Sequence, residues 1–309
     1  MSAGKQPGGD AITNTKNVMI TIAGRPNVGK STLMNTLAGE KISIVSNKPQ
    51  TTRNRVFGVV AAGDTQIVML DTPGFHKPRT KLGDYMAGVT RESVADVDAV
   101  LLLVAPIANI GTQETLLLER IRETGVPAIL VINKIDAVKK DELPPVIASY
   151  AAEYDFAAVV PISAKTGDGV DALLGELLKF AADGPWLFPE GVVTDQPEKQ
   201  IISELIREKL LLCLQREVPH GTAVEITKFS ERGGESDPVI DVDAVIYCEK
   251  ASHKGMIIGK NGAMLKKIGQ LSRLDIERFM GARVFLTTWV KVKENWRDSE
   301  ARIRELGYS

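Results

Sequence analysis

The sequence predicts an α/β domain with a mostly parallel sheet, built on a phosphate-binding loop, followed by a smaller α+β domain. Three observations carry this. The apolar run 18–23 leads into Gly24-Arg25-Pro26-Asn27-Val28-Gly29-Lys30-Ser31 and then a segment of helical spacing from Thr32. Strand, Gly-rich turn, Gly-Lys-Ser and helix is the context that separates a real phosphate loop from a chance match. Up to about residue 180, apolar runs alternate with amphipathic segments, as in parallel sheets covered on both faces. Beyond a turn-rich stretch the pattern changes, and a basic block appears.

The 309 residues suffice for two domains at about 150 residues each, and the composition is that of an ordinary soluble protein. Cys213 and Cys248 are the two cysteines, with no CxxC spacing, so neither a disulfide framework nor a zinc site is expected. Two reduced thiols suit a cytoplasmic protein. Residues 1–16 are Gly-rich and polar without an apolar core, and read as a disordered tail rather than a signal peptide. No stretch approaches the roughly 20 apolar residues that span a bilayer. The net charge of −1 hides an asymmetry: residues 1–198 carry −4 and residues 199–309 carry +3. Within 250–297 there are 11 basic and 3 acidic residues, which points to a polyanionic partner for that region.

Taken in order, strands are expected at 18–23, 56–61, 66–70, 99–105, 128–132 and 158–162, with helices at 82–93, 113–124, 143–154 and 169–180 between the later ones. This gives a first domain over 17–183. Residues 184–198, rich in Gly and Pro, read as a connector that Trp186 and Phe188 pack onto one domain. The second domain, 199–309, opens with an amphipathic helix at 199–216 and continues with strands at 222–229 and 239–248. A Gly-rich loop follows, then helices at 263–269 and 273–280, a strand at 283–292 and a closing helix from Trp296.

The chemistry-bearing residues fall at strand ends, where ligands of such sheets bind. Lys30 reaches β- and γ-phosphates, and Ser31 is placed to ligate Mg²⁺. Asp71-Thr72-Pro73-Gly74 follows the third run: the carboxylate can hold Mg²⁺, usually through water, and Gly74 N–H can approach the γ-phosphate because no Cβ intervenes. Asn133-Lys134-Ile135-Asp136 closes another strand. Asp136 can accept two hydrogen bonds from guanine, a pair that adenine does not offer, and Lys134 can lay its stem on the base or ribose. Ser163-Ala164-Lys165 after the last strand offers a backbone N–H to the base oxygen. Between loop and Asp71 lies a polar stretch ending Gln50-Thr51-Thr52-Arg53, where a mobile loop would bring a hydroxyl to Mg²⁺. Thr52 is the candidate and Thr51 its competitor. An ordinary connecting loop is the alternative.

In that order and spacing, these motifs resemble the GTPase superfamily, and NVGKST, PQTTR and DTPGFH resemble Era-type bacterial GTPases. The resemblance covers nearly the whole chain beyond the tail. It implies GTP and GDP binding, Mg²⁺, slow intrinsic hydrolysis and a switch role, with Lys30, Thr52 and Gly74 closest to the chemistry. Where many GTPases carry a water-orienting glutamine, this chain has Phe75, which cannot orient water. Asn27 is either a loop cap or, by likeness to members with this combination, part of a K⁺-assisted site.

The second domain carries Ile258-Gly259-Lys260-Asn261-Gly262 followed by Lys266 and Lys267. Two glycines let a single-stranded backbone pass close, and the lysines supply charge. Arg273, Arg278 and Lys291 either line the groove or are simply solvated. With the element order and the basic block, this resembles a KH domain of the type whose extra helix comes first. The family implies single-stranded RNA near the 3′ end of small-subunit ribosomal RNA as partner, a role in assembling that subunit, and loose membrane association of a cytoplasmic monomer. Two rivals differ in class: a surface GTPase anchored to membrane by the 199–216 helix, and an RNA scaffold that binds GTP without turnover. Glu204, Glu208 and Glu217 on that helix argue against the anchor.

Overall fold

The computed structural model describes residues 15–48, 51–71, 80–92, 97–234 and 238–308. The first sheet has the strand order β2-β3-β1-β4-β5-β6, with β1 Lys16–Ala23, β2 Val56–Ala62, β3 Thr65–Asp71, β4 Ala99–Val104, β5 Ala128–Ile132 and β6 Ala158–Pro161. Every pairing along this path is parallel except β2 with β3. A two-residue strand β7, Ala182–Asp183, runs antiparallel to the start of β1. Strands β3, β4 and β5 are buried at every residue, because helices cover both faces. One face packs Ile20, Ile67, Leu101 and Ile129 under α1 (Lys30–Ala38) and α5 (Val170–Leu178). The other packs Leu102, Leu130 and Ile132 under α3 (Thr112–Thr124) and α4 (Leu143–Glu153).

The connector runs along the outer strands of this sheet. Trp186 Nε1 donates to the Asp64 carbonyl, and Gln66 Oε1 accepts from the backbone N–H of both Leu187 and Phe188. Phe188 also meets the Phe57 ring at 6.0 Å between centroids, so Trp186 and Phe188 pack the connector onto the first unit.

The second sheet has the order β10-β9-β8, with β8 Ala223–Arg232, β9 Val239–Cys248 and β10 Arg283–Val292. β8 and β9 pair antiparallel, β9 and β10 parallel. Its core joins Ile202, Ile206 and Leu210 of α6 (Glu198–Cys213) to Val242, Ile246, Ile268 and Ile276. One expectation needs correction. The two helices between β9 and β10 are α7, Ala251–Ile258, and a continuous α8, Ala263–Met280, not helices at 263–269 and 273–280. Gly269 does not break α8: Ile268, Ser272 and Ile276 keep one buried stripe through it. The helix before the Gly-rich turn contains Gly255 and one buried residue, Ile257, so its sequence carried little periodic signal.

The chain closes with α9, Glu300–Glu305. Trp296, Ile303, Leu306 and Tyr308 pack against Leu82 and Met86 of α2, Lys81–Glu92. Beside this seam sits His220, faced by Glu217, Arg53, Lys48 and Arg297; burial chiefly holds its imidazole below the ordinary value of 6.5. The unfolded chain therefore takes up a proton that the folded chain refuses. This group's stability contribution is complete above about pH 6.5 and is lost as the pH falls below it. His220→Gln is expected to melt less steeply with falling pH than the parent between about pH 7 and 5.5; parallel curves from thermal scans would show that His220 does not titrate this way.

Candidate functional site

The loop leaving β1 is shaped by close approach. Gly29 holds a left-handed φ of 108°, and a Cβ there would lie 2.2 Å from Asn133 Nδ2. A Cβ at Gly24 would lie 2.5 Å from the Leu103 carbonyl oxygen. Helix α1 starts at Lys30 with no side-chain cap and no acidic residue in its first turn, so its leading N–H groups face the loop as anion donors. Lys30 is buried and its Nζ donates to the carbonyls of Gly24 (3.1 Å) and Arg25 (3.3 Å). Burial pulls its ammonium below the ordinary lysine value, and the Asp71 carboxylate only partly restores it.

Three oxygens converge beside it. Ser31 Oγ donates to Asp71 Oδ2 at 2.7 Å, and Thr52 Oγ1 lies 3.2 Å from Asp71 Oδ2 and 3.1 Å from Ser31 Oγ. Ser43 Oγ adds a third contact to the same carboxylate oxygen at 3.1 Å. Asp71 is fully buried, and its Oδ1 has no hydrogen-bond partner among the described residues. Burial pushes its carboxyl above the ordinary range, against the pull of Lys30 and the three hydroxyls. Two hydroxyls and an under-satisfied carboxylate form a hard oxygen donor set, which fits Mg²⁺.

At the far end of a cavity of about 470 Å³ lie Asn133, Lys134, Asp136, Ala164 and Lys165. Asn133 braces three loops: Nδ2 donates to the Val28 carbonyl (2.7 Å), and Oδ1 accepts from Ala164 N (2.9 Å). Lys134 takes a left-handed φ of 70° and its Nζ reaches the Asn27 carbonyl at 2.7 Å. Ser163 Oγ donates to Asp136 Oδ1 at 2.8 Å, aiming that carboxylate. Pro26, Asn27, Gly29, Lys30, Ser31 and Thr32 line the same cavity, with Thr51 and Thr52. Gly24, Arg25 and Val28 support the loop from behind, Arg25 through an ion pair with buried Glu114 at 3.2 Å. Thr72, Pro73, Gly74, Phe75 and Gln50 lie outside the described residues.

Two features were missed in the sequence. Ile44 and Val45 line the cavity beside Ser46, Asn47 and Lys48 of the polar stretch, although they look like ordinary loop apolars. Arg53, expected in the mobile loop, points away from the cavity and is 1% exposed within the second unit.

In the second unit, Gly259, Lys260, Asn261 and Gly262 form the turn between α7 and α8. Gly259 has a φ of 72°, and a Cβ there would sit 2.6 Å from Met264 Cβ. Asn261 also adopts a positive φ, 53°. Ile258 is half-buried at the end of α7, whereas Lys260, Asn261, Lys266 and Lys267 are exposed. A groove of about 400 Å³ runs from Gly262 in the turn and Lys266 and Arg273 on α8 to Leu286 and Thr288 on β10. Arg273 lines it. Arg278 instead pairs with Asp275 (3.3 Å), and Lys291, out of step with Leu286 and Thr288 along β10, lies on the other face.

A Gly-Lys-Ser loop, a hydroxyl–carboxylate cluster and the Asn-Lys-x-Asp turn lining one cavity of a mostly parallel sheet define a phosphate-loop GTPase, here joined to a Gly-x-x-Gly helix pair on a three-stranded sheet. The family described as 50S ribosome-binding GTPase matches residues 19–134, and the KH domain family matches residues 217–297. The chain is 50% identical over 293 residues to GTPase Era of Ruminiclostridium cellulolyticum, covering 95% of this chain and 97% of that one. It is 49% identical over 295 residues to GTPase Era of Clostridioides difficile, covering 95% and 99%. A structure of Era with MgGDPNP and nucleotides 1506–1542 of 16S ribosomal RNA superposes at a TM-score of 0.90, with 35% identity over 96% of this chain and 99% of that one. An Aquifex aeolicus Era variant bound to GDP·AlF4⁻ gives the same TM-score and identity over 96% and 100%. The chain belongs to the Era family of GTPases.

Ser163→Ala removes the hydroxyl that orients Asp136 while leaving the phosphate loop intact. It is expected to weaken GDP binding by about three- to tenfold; unchanged affinity in titration calorimetry would mean that Asp136 needs no such support.

Proposed function

We propose that this chain is a GTP-dependent switch whose output is single-stranded RNA from the 3′ end of small-subunit ribosomal RNA, acting in assembly of that subunit. The observation that supports it most is the match over almost the whole chain to an Era structure that holds both MgGDPNP and a 16S fragment. The reading divides the chain into a GTPase domain at 17–183, a connector at 184–198 and a KH domain at 199–309. It has the chain working as a monomer in the cytoplasm. Among the described residues no helix is long and apolar enough to cross a membrane. The α6 helix buries ten residues against protein, Ile201, Leu205 and Leu210 among them, which leaves it a poor lipid anchor and disfavours the membrane reading.

In this reading the leading N–H groups of α1 and Lys30 grip the phosphates, and Ser31, Thr52 and Asp71 would hold Mg²⁺. Bound Mg²⁺ supplies neutralising charge at the β- and γ-phosphates. Gly74 N–H meets the γ-phosphate, and Phe75 leaves the attacking water to be held by other groups. Asp136 reads guanine, Lys134 flanks base and ribose, and Ala164 N–H serves the base oxygen. Asn27 Nδ2 donates to the Asn47 carbonyl at 2.8 Å, so Oδ1 is the atom a K⁺ would use. Ile258, Gly259, Lys260, Asn261, Gly262, Lys266 and Lys267 take the RNA, the glycines by close approach and the lysines by charge.

Two measurements test this. A short single-stranded RNA with the 3′-terminal sequence of small-subunit ribosomal RNA is expected to bind the GDP-bound and the GTP-analogue-bound chain with different affinities. Lys260→Asp with Asn261→Asp should abolish binding in both. Equal affinities in the two states would remove the switch, and no binding to the parent would remove the RNA output. Asp136→Asn replaces an acceptor by a donor, so it should lose GTP and gain xanthosine triphosphate, whose 2-oxo group accepts where guanine donates. Retained preference for GTP would displace Asp136 from the base.

A further inference from the structure

Thr52 is buried at the Ser31–Asp71 pair, yet what holds its backbone there comes from the other domain. The residue before it, Thr51, gives its carbonyl to Arg207 of α6. Arg207 is itself fully buried and braced by Nε to Glu204 Oε1 at 2.8 Å. The residue after it, Arg53, is anchored more deeply. Its Nη1 donates to the Thr222 carbonyl (2.8 Å) and Tyr308 Oη (3.0 Å), and its Nη2 to the His220 carbonyl (2.9 Å). The guanidinium also lies 5.6 Å from the Trp296 ring centroid and 5.5 Å from that of Tyr308. Those rings stack on each other at 5.9 Å, and Trp296 Nε1 is pinned to the Gly221 carbonyl at 3.0 Å. Asn54, one residue further on, donates to the Gly307 carbonyl at 2.9 Å.

The chain is thus held on each side of Thr52, one residue away, by groups of the KH-bearing half. A hydroxyl that must sit within about 0.5 Å of its working position needs such fixed neighbours, and a guanidinium with three acceptors and two aromatic faces has little freedom to move. We propose that Arg53 is a positioning residue for GTP hydrolysis: docked against Trp296 and Tyr308, it holds the Thr52 hydroxyl at the Ser31–Asp71 pair. The hydrolytic site is then complete only while the second domain is seated on it. Undocking that domain releases Thr52 without touching the phosphate loop or the base pocket. The inference rests on the reading of Thr52 as a Mg²⁺ ligand.

The test uses the full-length chain and measures multiple-turnover phosphate release against GTP and Mg²⁺, GDP affinity, and melting temperature. Arg53→Ala is expected to lower kcat by about ten- to a hundredfold and to raise the Mg²⁺ needed for half-maximal rate. GDP affinity should stay within about threefold, because the phosphate loop and base contacts are untouched. Trp296→Leu should act in the same direction, and Arg53→Lys should fall between the alanine variant and the parent. If Arg53→Ala does not fold, those two variants carry the comparison. Guanidinium at low millimolar concentration separates positioning from pocket filling. It should raise the melting temperature of Arg53→Ala by refilling the aromatic pocket, without restoring turnover, since the free ion is not tethered to Thr52.

Parental kcat and Mg²⁺ requirement in Arg53→Ala, or recovery of turnover together with melting temperature on adding guanidinium, would overturn the proposal. Parental turnover in Thr52→Ala would instead remove the reading of Thr52 on which it rests.

Discussion

Lys30, at the start of α1, and Asp71, at the end of the strand beside β1, are two buried charges, and the geometry around them sets most of what this chain does. The register that pairs Ile22 with Asp71 brings the start of the phosphate loop beside the carboxylate. Burying an ammonium and a carboxylate is costly unless each is well partnered. Among the described residues Lys30 has only loop carbonyls, and one oxygen of Asp71 has no partner. The same burial that lowers the lysine and raises the aspartate leaves a place where phosphates and a hard cation satisfy both at once. Binding is thus favoured by relieving an electrostatic deficit that folding created.

That arrangement needs a hydroxyl from a loop the first sheet does not itself support. The segment between α1 and β2 is fastened by charge to the other domain. Lys41 pairs with Glu208 (2.7 Å) and Asp275 (2.8 Å), Lys209 joins the same two carboxylates, and Glu208 also accepts from Val45 N (2.9 Å). Buried and half-buried ion pairs contribute little net stability, but they are exacting about geometry. A seam built from them, with Arg53 and Arg207 beside it, fixes how the loop and the second domain meet. The hydrophobic part of the seam, Leu82 and Met86 against Trp296 and Tyr308, ties the segment after β3 to the same closing stretch of chain.

Much of the first domain was legible in the linear sequence because its signals are local. The Gly-Lys-Ser loop, the aspartate at the end of β3 and the Asn-Lys-x-Asp turn each combine a strand-length apolar run with residues whose backbone or charge has one obvious use. Helices α3, α4 and α5 begin and end within about two residues of their apolar periodicity. In the second domain the Gly-x-x-Gly turn was legible, but the helices flanking it were misplaced. Helices α7 and α8 run through Gly255 and Gly269, since the cost of one glycine in a helix, about 1 kcal/mol against alanine, is offset by the packing of Ile257, Ile268 and Ile276.

Local pattern thus settled the two architectures, the nucleotide loop, the place of the Asn-Lys-x-Asp turn and the basic turn, since each depends on residues close in the chain and on strand or helix period. Long-range packing settled what reaches across. Asn133 bracing Val28 and Ala164, Ser163 aiming Asp136, Ile44 and Val45 walling the cavity and Arg53 leaving it for Trp296 all join segments far apart in sequence. An arginine in a polar loop carries no mark of the aromatic pocket, more than 240 residues along the chain, that will bury it. Only the folded chain brings that pocket to it, because burial is decided by tertiary contacts rather than by the residue's own chemistry.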